Sequence, residues 1–328
     1  ACRKKLEGTM CPTYMATLEE EHSTRGRANA LRAAVSGQWE GGLTDDRLYE
    51  VLDLCLECKA CKAECPSNVD MAKLKYEFLA HYYQANGRPL RAWLFGNIDL
   101  LNRVGCLLHP VSNWMVGSRL TRSVMSLLGI SPKRNLPPFA GESFVEWFGK
   151  RHGLKSDRKV VLFSDTYMTY NYPEIGIAAT GILEAAGIEV LLAEKKCCGR
   201  PFISSGMMEE VRSSVNYNTE NLHNYLDLGY DIVGFEPSCV SMLKDDYPEL
   251  TDDPRTKAVA ENCYAIETYL SNLARTGELP VSFSGLERRI LLHGHCHQKA
   301  LWGVQDSLDL LSLPPGYEVT LIDSGCCG

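Results

Sequence analysis

Four cysteines stand in one short run, Cys55, Cys58, Cys61 and Cys65, with Pro66 after the last. Two-residue gaps let a chain curl so that three thiolates face one inorganic cubane, and soft sulfur donors suit iron. The fourth cysteine of such a run, the one before proline, reaches a second cluster. A zinc site would instead place two Cys-x2-Cys pairs across a longer gap. The spacing therefore points to 4Fe-4S chemistry. When two clusters exchange their fourth ligands, Cys55, Cys58 and Cys61 need one more cysteine from elsewhere, and Cys11-Pro12 is the other Cys-Pro pair. Cys11 is accordingly expected to complete the first cluster, and Cys65, with Cys2, to serve a second. That second set is incomplete, and its remaining ligands are expected upstream of Ala1.

A different pattern recurs later. Cys197-Cys198-Gly199 and Cys326-Cys327-Gly328 are adjacent thiols followed by a residue without a side chain, each just after an apolar run. Glycine permits a tight turn there, which would set both sulfurs at the C-terminal edge of a sheet, where α/β proteins bind ligands. Cys239, in Glu236-Pro237-Ser238-Cys239, can approach the same edge, and Cys296, between His295 and His297, can do so for the second pair. Adjacent buried cysteines can also simply fill space, but recurrence at one offset favours a site. Cys106 and Cys263 lie in apolar, helix-like patterns and read as core residues. His22, His81, His109, His152 and His223 share no ligand spacing and read as solvated or capping.

The elements that must position these residues follow from periodicity. Helices are expected over Leu18 to Ser36 and from Met71 to Gln84, with Asp70 as the N-cap of the latter. Helical patterns continue near 89–108 and 112–129, then Pro-rich punctuation leads to Lys159. From there short apolar runs (Val160 to Phe163, Val190 to Leu192, Ile232 to Phe235) alternate with amphipathic helices, which implies a parallel sheet. Shifting the chain by 129 positions lays Ala186 to Leu192 over Pro315 to Leu321 and one Cys-Cys-Gly over the other, with Tyr167 where the second copy has Cys296. The expected fold class is α+β: a helical ferredoxin-like dicluster domain over 1–87, a helical connection over 88–157, and an α/β cysteine-rich domain of two related parallel-sheet units over 158–328, the second unit truncated.

Composition limits the rest. With 328 residues, 45% of them hydrophobic, the chain can bury two modest cores. A net charge of -7 argues against nucleic acid as the main partner. No apolar stretch is long enough to span a bilayer and no signal-peptide core follows Ala1, so the expected location is cytoplasmic, with peripheral contact at the inner face of the membrane as an option. That option comes from residues 88–134, where Arg88, Arg91, Arg103, Arg119, Arg122, Lys133 and Arg134 face one acid, Asp99, among Trp93, Phe95 and Trp114. Such a stretch can meet an anionic membrane or a partner. It can also pack between domains, the reading the sequence favours.

The motif set, from Gly8-Thr9-Met10-Cys11-Pro12 and His22 to Asn29 through Glu236-Pro237-Ser238-Cys239, His293 to Lys299 and Asp323 to Gly328, resembles one family over essentially the whole chain. It is similar to the C-terminal iron-sulfur half of FAD-linked 2-hydroxyacid dehydrogenases of the D-lactate and D-2-hydroxyglutarate type. The second half is similar to the cysteine-rich domains of heterodisulfide reductase and of the glycolate oxidase iron-sulfur subunit. The resemblance implies a flavin (FAD) domain upstream or in a partner, and onward transfer to a quinone or other acceptor. It makes the chain an oxidoreductase component; no dinucleotide-binding Gly-rich motif is present, so the chain is not expected to oxidise substrate unaided. The alternative is a thiol-disulfide catalyst of the heterodisulfide reductase kind. The family's cysteine-rich units carry a leading cysteine and a later Cys-x2-Cys; here Tyr167 and Glu236 occupy two of those places in the first unit.

Overall fold

The computed structural model describes residues 2–3 and 8–325. It comprises two compact units, one of Ala1–Arg88 with Ser282–Gly328, the other of Pro89–Val281.

In the first unit the helices are α1 (Pro12–Thr17), α2 (Thr24–Val35), α3 (Asp46–Asp53), α4 (Ala60–Glu64) and α5 (Met71–Asn86). The helix expected from Leu18 is interrupted. Leu18 adopts φ +58, a short 3-10 turn follows at Glu20–His22, and the Ser23 hydroxyl accepts from Gly26 N to start α2 afresh. Gly26 is required there, because a Cβ would lie 2.0 Å from the Glu20 carbonyl oxygen. Asp70 caps α5 as the sequence indicates, accepting from Ala72 N and Lys73 N. Leu48, Leu52, Met71, Phe78 and Leu79 fill the core between α3 and α5. Each such side chain contributes about 2 kcal/mol by burial.

The second unit begins with α6 (Leu90–Gly96), α7 (Ile98–Leu107), α8 (Val111–Val116), α9 (Arg119–Leu127) and α10 (Phe144–Lys150). It continues as β1 (Lys159–Phe163), α11 (Thr166–Tyr170), α12 (Pro173–Ala185), β2 (Glu189–Leu192), α13 (Arg200–Ser204), α14 (Met208–Asp227), β3 (Asp231–Gly234), α15 (Pro237–Ser241), α16 (Tyr247–Leu250), α17 (Arg255–Glu261), β4 (Cys263–Ala265) and α18 (Ile266–Arg275). The four strands form one parallel sheet in the order β2-β1-β3-β4, with Val160 opposite Val190 on one side and Asp231 on the other. Because the chain steps outward from β1 to β2 and then returns to the far side of β1 as β3, the strand order reverses between β1 and β3. Ligands of open α/β sheets bind beyond the C-terminal ends at such a point.

The last segment holds β5 (Arg288–Leu292), α19 (Cys296–Leu301), α20 (Gln305–Leu311) and β6 (Tyr317–Leu321), a second parallel pair. The repeat is visible in it: β5 lies 129 residues after β1, while β6 lies 128 after β2. The register therefore slips by one, Arg288 pairing with Tyr317 where Lys159 pairs with Glu189.

The three-part division expected from sequence differs from this one in two places. The connecting helices 88–157 are not a separate body: α7 packs on α11 and α6 on α13, Thr166 Oγ1 donates to Asp99 Oδ1 at 2.6 Å, and Gly96 lies so close to Met207 that a Cβ would be 2.4 Å from its sulfur. Nor do residues 158–328 form one domain, since β5 and β6 pair with each other and α19 packs on α4. Cys263, expected in a helix, opens β4; it is fully buried, as a core residue should be.

Candidate metal centre

The loop between α3 and α4 carries the cysteine run on an unusual backbone. Glu57 and Lys59 both take positive φ, +55 and +57, a region that costs a non-glycine residue about 1 kcal/mol or more. The two left-handed steps turn successive amides inward: the backbone N–H of Glu57 faces Cys55, that of Ala60 faces Cys58, and those of Met71 and Lys62 face Cys61. Met71 N donates to Cys61 Sγ at 3.3 Å. Cys11, at the start of α1, comes from a separate segment to the same place. Arg27 Nη1 donates to its sulfur at 3.3 Å, and its neighbours Thr13 Oγ1 and the His22 carbonyl lie at 3.3 and 3.5 Å. Cys11, Cys55, Cys58 and Cys61 thus line one small pocket, partly open to solvent.

Arg27 and Lys59 line the pocket as buried cations and Lys75 holds its loop, and none of the three was anticipated from sequence. Arg27 is 1% exposed and donates to the Val51 carbonyl and Thr13 Oγ1. Lys75 donates to the carbonyls of Asp53 and Cys55 and pairs with Glu57 at 3.2 Å. Inward N–H groups and cations favour thiolate over thiol. Burial opposes them. It pushes the thiols of Cys55, Cys58 and Cys61 up, Cys61 to about 11. Four buried thiolates become affordable only against multivalent positive charge, which is what iron supplies. One ion does not fit, because a tetrahedral zinc with bonds of about 2.3 Å holds its sulfurs about 3.8 Å apart. Among the described residues, no three cysteine sulfurs lie mutually within 4.8 Å. A cubane, with sulfurs spread around it, suits the arrangement.

A pH dependence follows for the metal-free chain. A thiol whose folded pKa is raised supports folding fully below its unfolded value, near 8.5, and loses that support as pH climbs through the folded value. Stability toward urea should hold to about pH 8.5 and then fall toward pH 11, by about 1.4 kcal/mol per pH unit for each thiol that titrates. An unfolding midpoint unchanged between pH 8 and 11 would contradict the burial of these sulfurs.

Cys2 packs against the same core, and Cys65, at the C-terminus of α4, is half-buried. Cys296, expected to head the second paired-cysteine site, lies in the first unit. It packs beside the group containing Cys11, Cys58 and Cys61, while His297 Nε2 lies 2.9 Å from the Glu57 carbonyl oxygen. Cys326 and Cys327, its expected companions, lie outside the described residues. His22 is buried rather than solvated, its Nδ1 2.9 Å from Thr17 Oγ1.

In the second unit Cys197 and Cys198 follow β2, and Cys239 lies in α15 after β3, all at the point where strand order reverses. The three sulfurs act on one another, Cys197 with Cys198 and Cys198 with Cys239, and burial pushes the thiols up. Gly199 makes the turn, with φ +95. Asn218, fully buried, holds it: its Oδ1 accepts from Lys196 N at 2.8 Å and its Nδ2 donates to the Cys197 carbonyl and to the Tyr247 hydroxyl, which donates to the Cys198 carbonyl. Around the thiols stand Tyr167, Asp165 and Glu236; the two carboxylates bear on each other and on Cys239, and burial together with their charge pushes the Tyr167 hydroxyl up. Three sulfurs and three oxygen groups make a mixed donor set, unlike the first pocket.

Comparison with known proteins finds a family model over each of the two regions. Residues 1–69 match the family model of the 4Fe-4S dicluster domain, and residues 162–244 match that of the cysteine-rich domain. The chain is 30% identical over 179 residues to lactate utilization protein A of Geobacillus kaustophilus, a span covering 52% of this chain and 72% of that protein. The chain belongs to that iron-sulfur family. Further relatives are a subunit of the anaerobic glycerol-3-phosphate dehydrogenase of Escherichia coli K12, 29% identical over 294 residues (87% of this chain, 73% of the relative), and the D-2-hydroxyglutarate dehydrogenase of Pseudomonas putida, 23% identical over 299 residues (74% of this chain) but only 28% of that longer protein. No solved structure matches. As a member of this family the chain is an oxidoreductase component that transfers electrons, with 4Fe-4S clusters as its cofactors. Among the described residues no helix is long and apolar enough to cross a membrane.

Proposed function

We propose that this chain relays electrons from a reduced flavoprotein, one that oxidises a secondary alcohol of the 2-hydroxyacid kind, to a quinone or another acceptor. The observation that carries the reading is the four-cysteine pocket with its inward amides and buried cations, which is built to hold charge that changes by single units. Cys11, Cys55, Cys58 and Cys61 would hold one cluster, and Cys65 and Cys2 belong to a second. When bound, such clusters accept and release one electron at a time. The protein's part is to exclude water, to donate N–H groups to sulfur from Met71 and Arg27, and to fix the loop through Lys75. These are the levers that set potential. The relatives are named for glycerol-3-phosphate, D-2-hydroxyglutarate and lactate; all three carry a secondary alcohol, whose oxidation delivers a hydride that only an organic cofactor such as FAD can take. The chain then divides a two-electron load.

The test is anaerobic. The reconstituted chain is mixed with D-lactate, D-2-hydroxyglutarate or glycerol-3-phosphate, alone and with the cognate flavoprotein. Bleaching of the iron-sulfur absorbance is expected only when flavoprotein and its substrate are both present. Bleaching by a substrate alone, or none with the flavoprotein, would overturn the reading.

A further inference from the structure

The point where strand order reverses carries more than the paired cysteines. A half-open cavity of about 480 Å³ lies past the C-terminal ends of β1 and β2, a size that takes a small metabolite. Leu100, Val145, Leu192 and Phe202 give it apolar walls, and Cys197 lines it as well. Two of its polar groups are buried hydroxyls. Ser164, the residue after β1, and Ser214, on α14, are each 2% exposed and line the cavity, and neither hydroxyl makes a hydrogen bond among the described residues. Buried polar side chains are nearly always paired, so two such hydroxyls on one cavity call for a polar occupant.

The charges around the cavity say which kind. Arg103, from α7, and Lys195, from the loop after β2, both line it, and neither makes a hydrogen bond or an ion pair with a described residue. Lys195 lies over the Phe163 ring at 5.1 Å and bears on the buried Asp165. The acids on the wall are engaged instead. Asp99 Oδ1 accepts from Thr166 at 2.6 Å, and Glu194 Oε1 accepts from the Tyr217 hydroxyl at 2.8 Å. Lys196, a third cation on the lining, donates to Ser213. What stands unmatched is therefore donor groups and positive charge.

We infer that this cavity binds a small organic dianion, a short carbon frame carrying two acid groups, either both carboxylates or one carboxylate and one phosphate. One acid group meets Arg103, whose planar guanidinium pairs with carboxylate or phosphate through two parallel N–H bonds. The other meets the Lys195 ammonium, Ser164 and Ser214 donate to the ligand's oxygens, and the carbon frame lies against Leu100 and Phe202. Because the two cations come from separate elements, a ligand charged at both ends engages both. An inorganic ion would leave the apolar walls uncovered. Crevices beyond the C-terminal strand ends are where open α/β sheets hold such ligands.

This site goes beyond the relay reading, and its binding is measured on the oxidised chain with no electron donor, so either can fail without the other. The full reconstituted chain is titrated calorimetrically at low salt with succinate, 2-oxoglutarate and 3-phosphoglycerate, and with acetate and inorganic phosphate as controls. A hydrogen bond to a charged group is worth about tenfold or more, so at least one organic dianion is expected to bind about tenfold tighter than either control. Tightest binding by succinate or 2-oxoglutarate assigns a dicarboxylate, and tightest binding by 3-phosphoglycerate assigns a phosphorylated acid. Arg103→Ser and Lys195→Ser should each weaken that binding by about tenfold or more, and Ser164→Ala by about fivefold. Lys150→Ser, whose ammonium pairs with Glu142 and does not line the cavity, should bind as the unaltered chain does. Circular dichroism and iron-sulfur absorbance check the folding of each variant. Dianions no tighter than acetate, inorganic phosphate as tight as any of them (an adventitious ion only), or unchanged binding in any of the three cavity variants would overturn the inference.

Discussion

Replacing Cys58 by alanine should remove one cubane from the reconstituted chain, a loss of about four irons and as many sulfides. Cys58 is 9% exposed, between the two left-handed residues of the loop, and its sulfur receives the Ala60 amide. Cys55 and Cys61 are already committed, and Cys296, which packs beside the group, stands on the separate helix α19 and not in the loop. The contrast is Cys106→Ala. That half-buried thiol donates to the Ala140 carbonyl at 3.2 Å in the other unit, and its removal should leave iron content unchanged. If iron, sulfide and the reduced-state electron paramagnetic resonance signal are all unaltered in Cys58→Ala, the ligand assignment is wrong.

The second large effect concerns the paired-cysteine site. Arg200, directly after the Cys-Cys-Gly turn, donates from Nη2 to Asp246 Oδ2 at 2.6 Å and to Ser241 Oγ at 3.0 Å, and Asp246 is 2% exposed. Removing one partner of a buried pair strands the other charge, which costs about 3–5 kcal/mol. Asp246→Ala should therefore lower the urea unfolding free energy by that amount. Arg200→Met with Asp246→Leu should recover most of it, because an apolar pair of similar volume carries no such penalty. A loss below about 1 kcal/mol in the single variant would mean that the pair is solvated.

The chemistry of the first site was legible because three of its four cysteines stand in one short run. Cys55, Cys58 and Cys61 announce a cluster by spacing alone, and Cys11 by its proline. The strand-helix alternation and the 129-residue repeat likewise lie within short windows. What the sequence hid is long-range. Arg27 and Lys75 give no sign of their place in the sequence, since their partners are carbonyls and a sulfur supplied by Val51, Asp53, Cys55 and Cys11, and no periodicity shows those. Cys296 reads as the head of a second site by repeat, and the repeat does not show that α19 packs on α4. Cys263 escaped because a three-residue strand is too short to display alternation. The apolar steps of α7 and α9 were readable, but periodicity does not say whether a stripe faces a core or the outside.

The central claim is that these cysteines hold a centre able to take electrons from flavin. The most direct measurement is an anaerobic titration of the reconstituted wild-type chain with photoreduced FAD, followed by absorbance and electron paramagnetic resonance, with metal analysis of the same sample. The account predicts iron and sulfide in equal amounts, bleaching in proportion to added electrons, and a paramagnetic signal that grows as the absorbance falls. Zinc in place of iron, or an iron-loaded chain that reduced flavin cannot bleach, would contradict it.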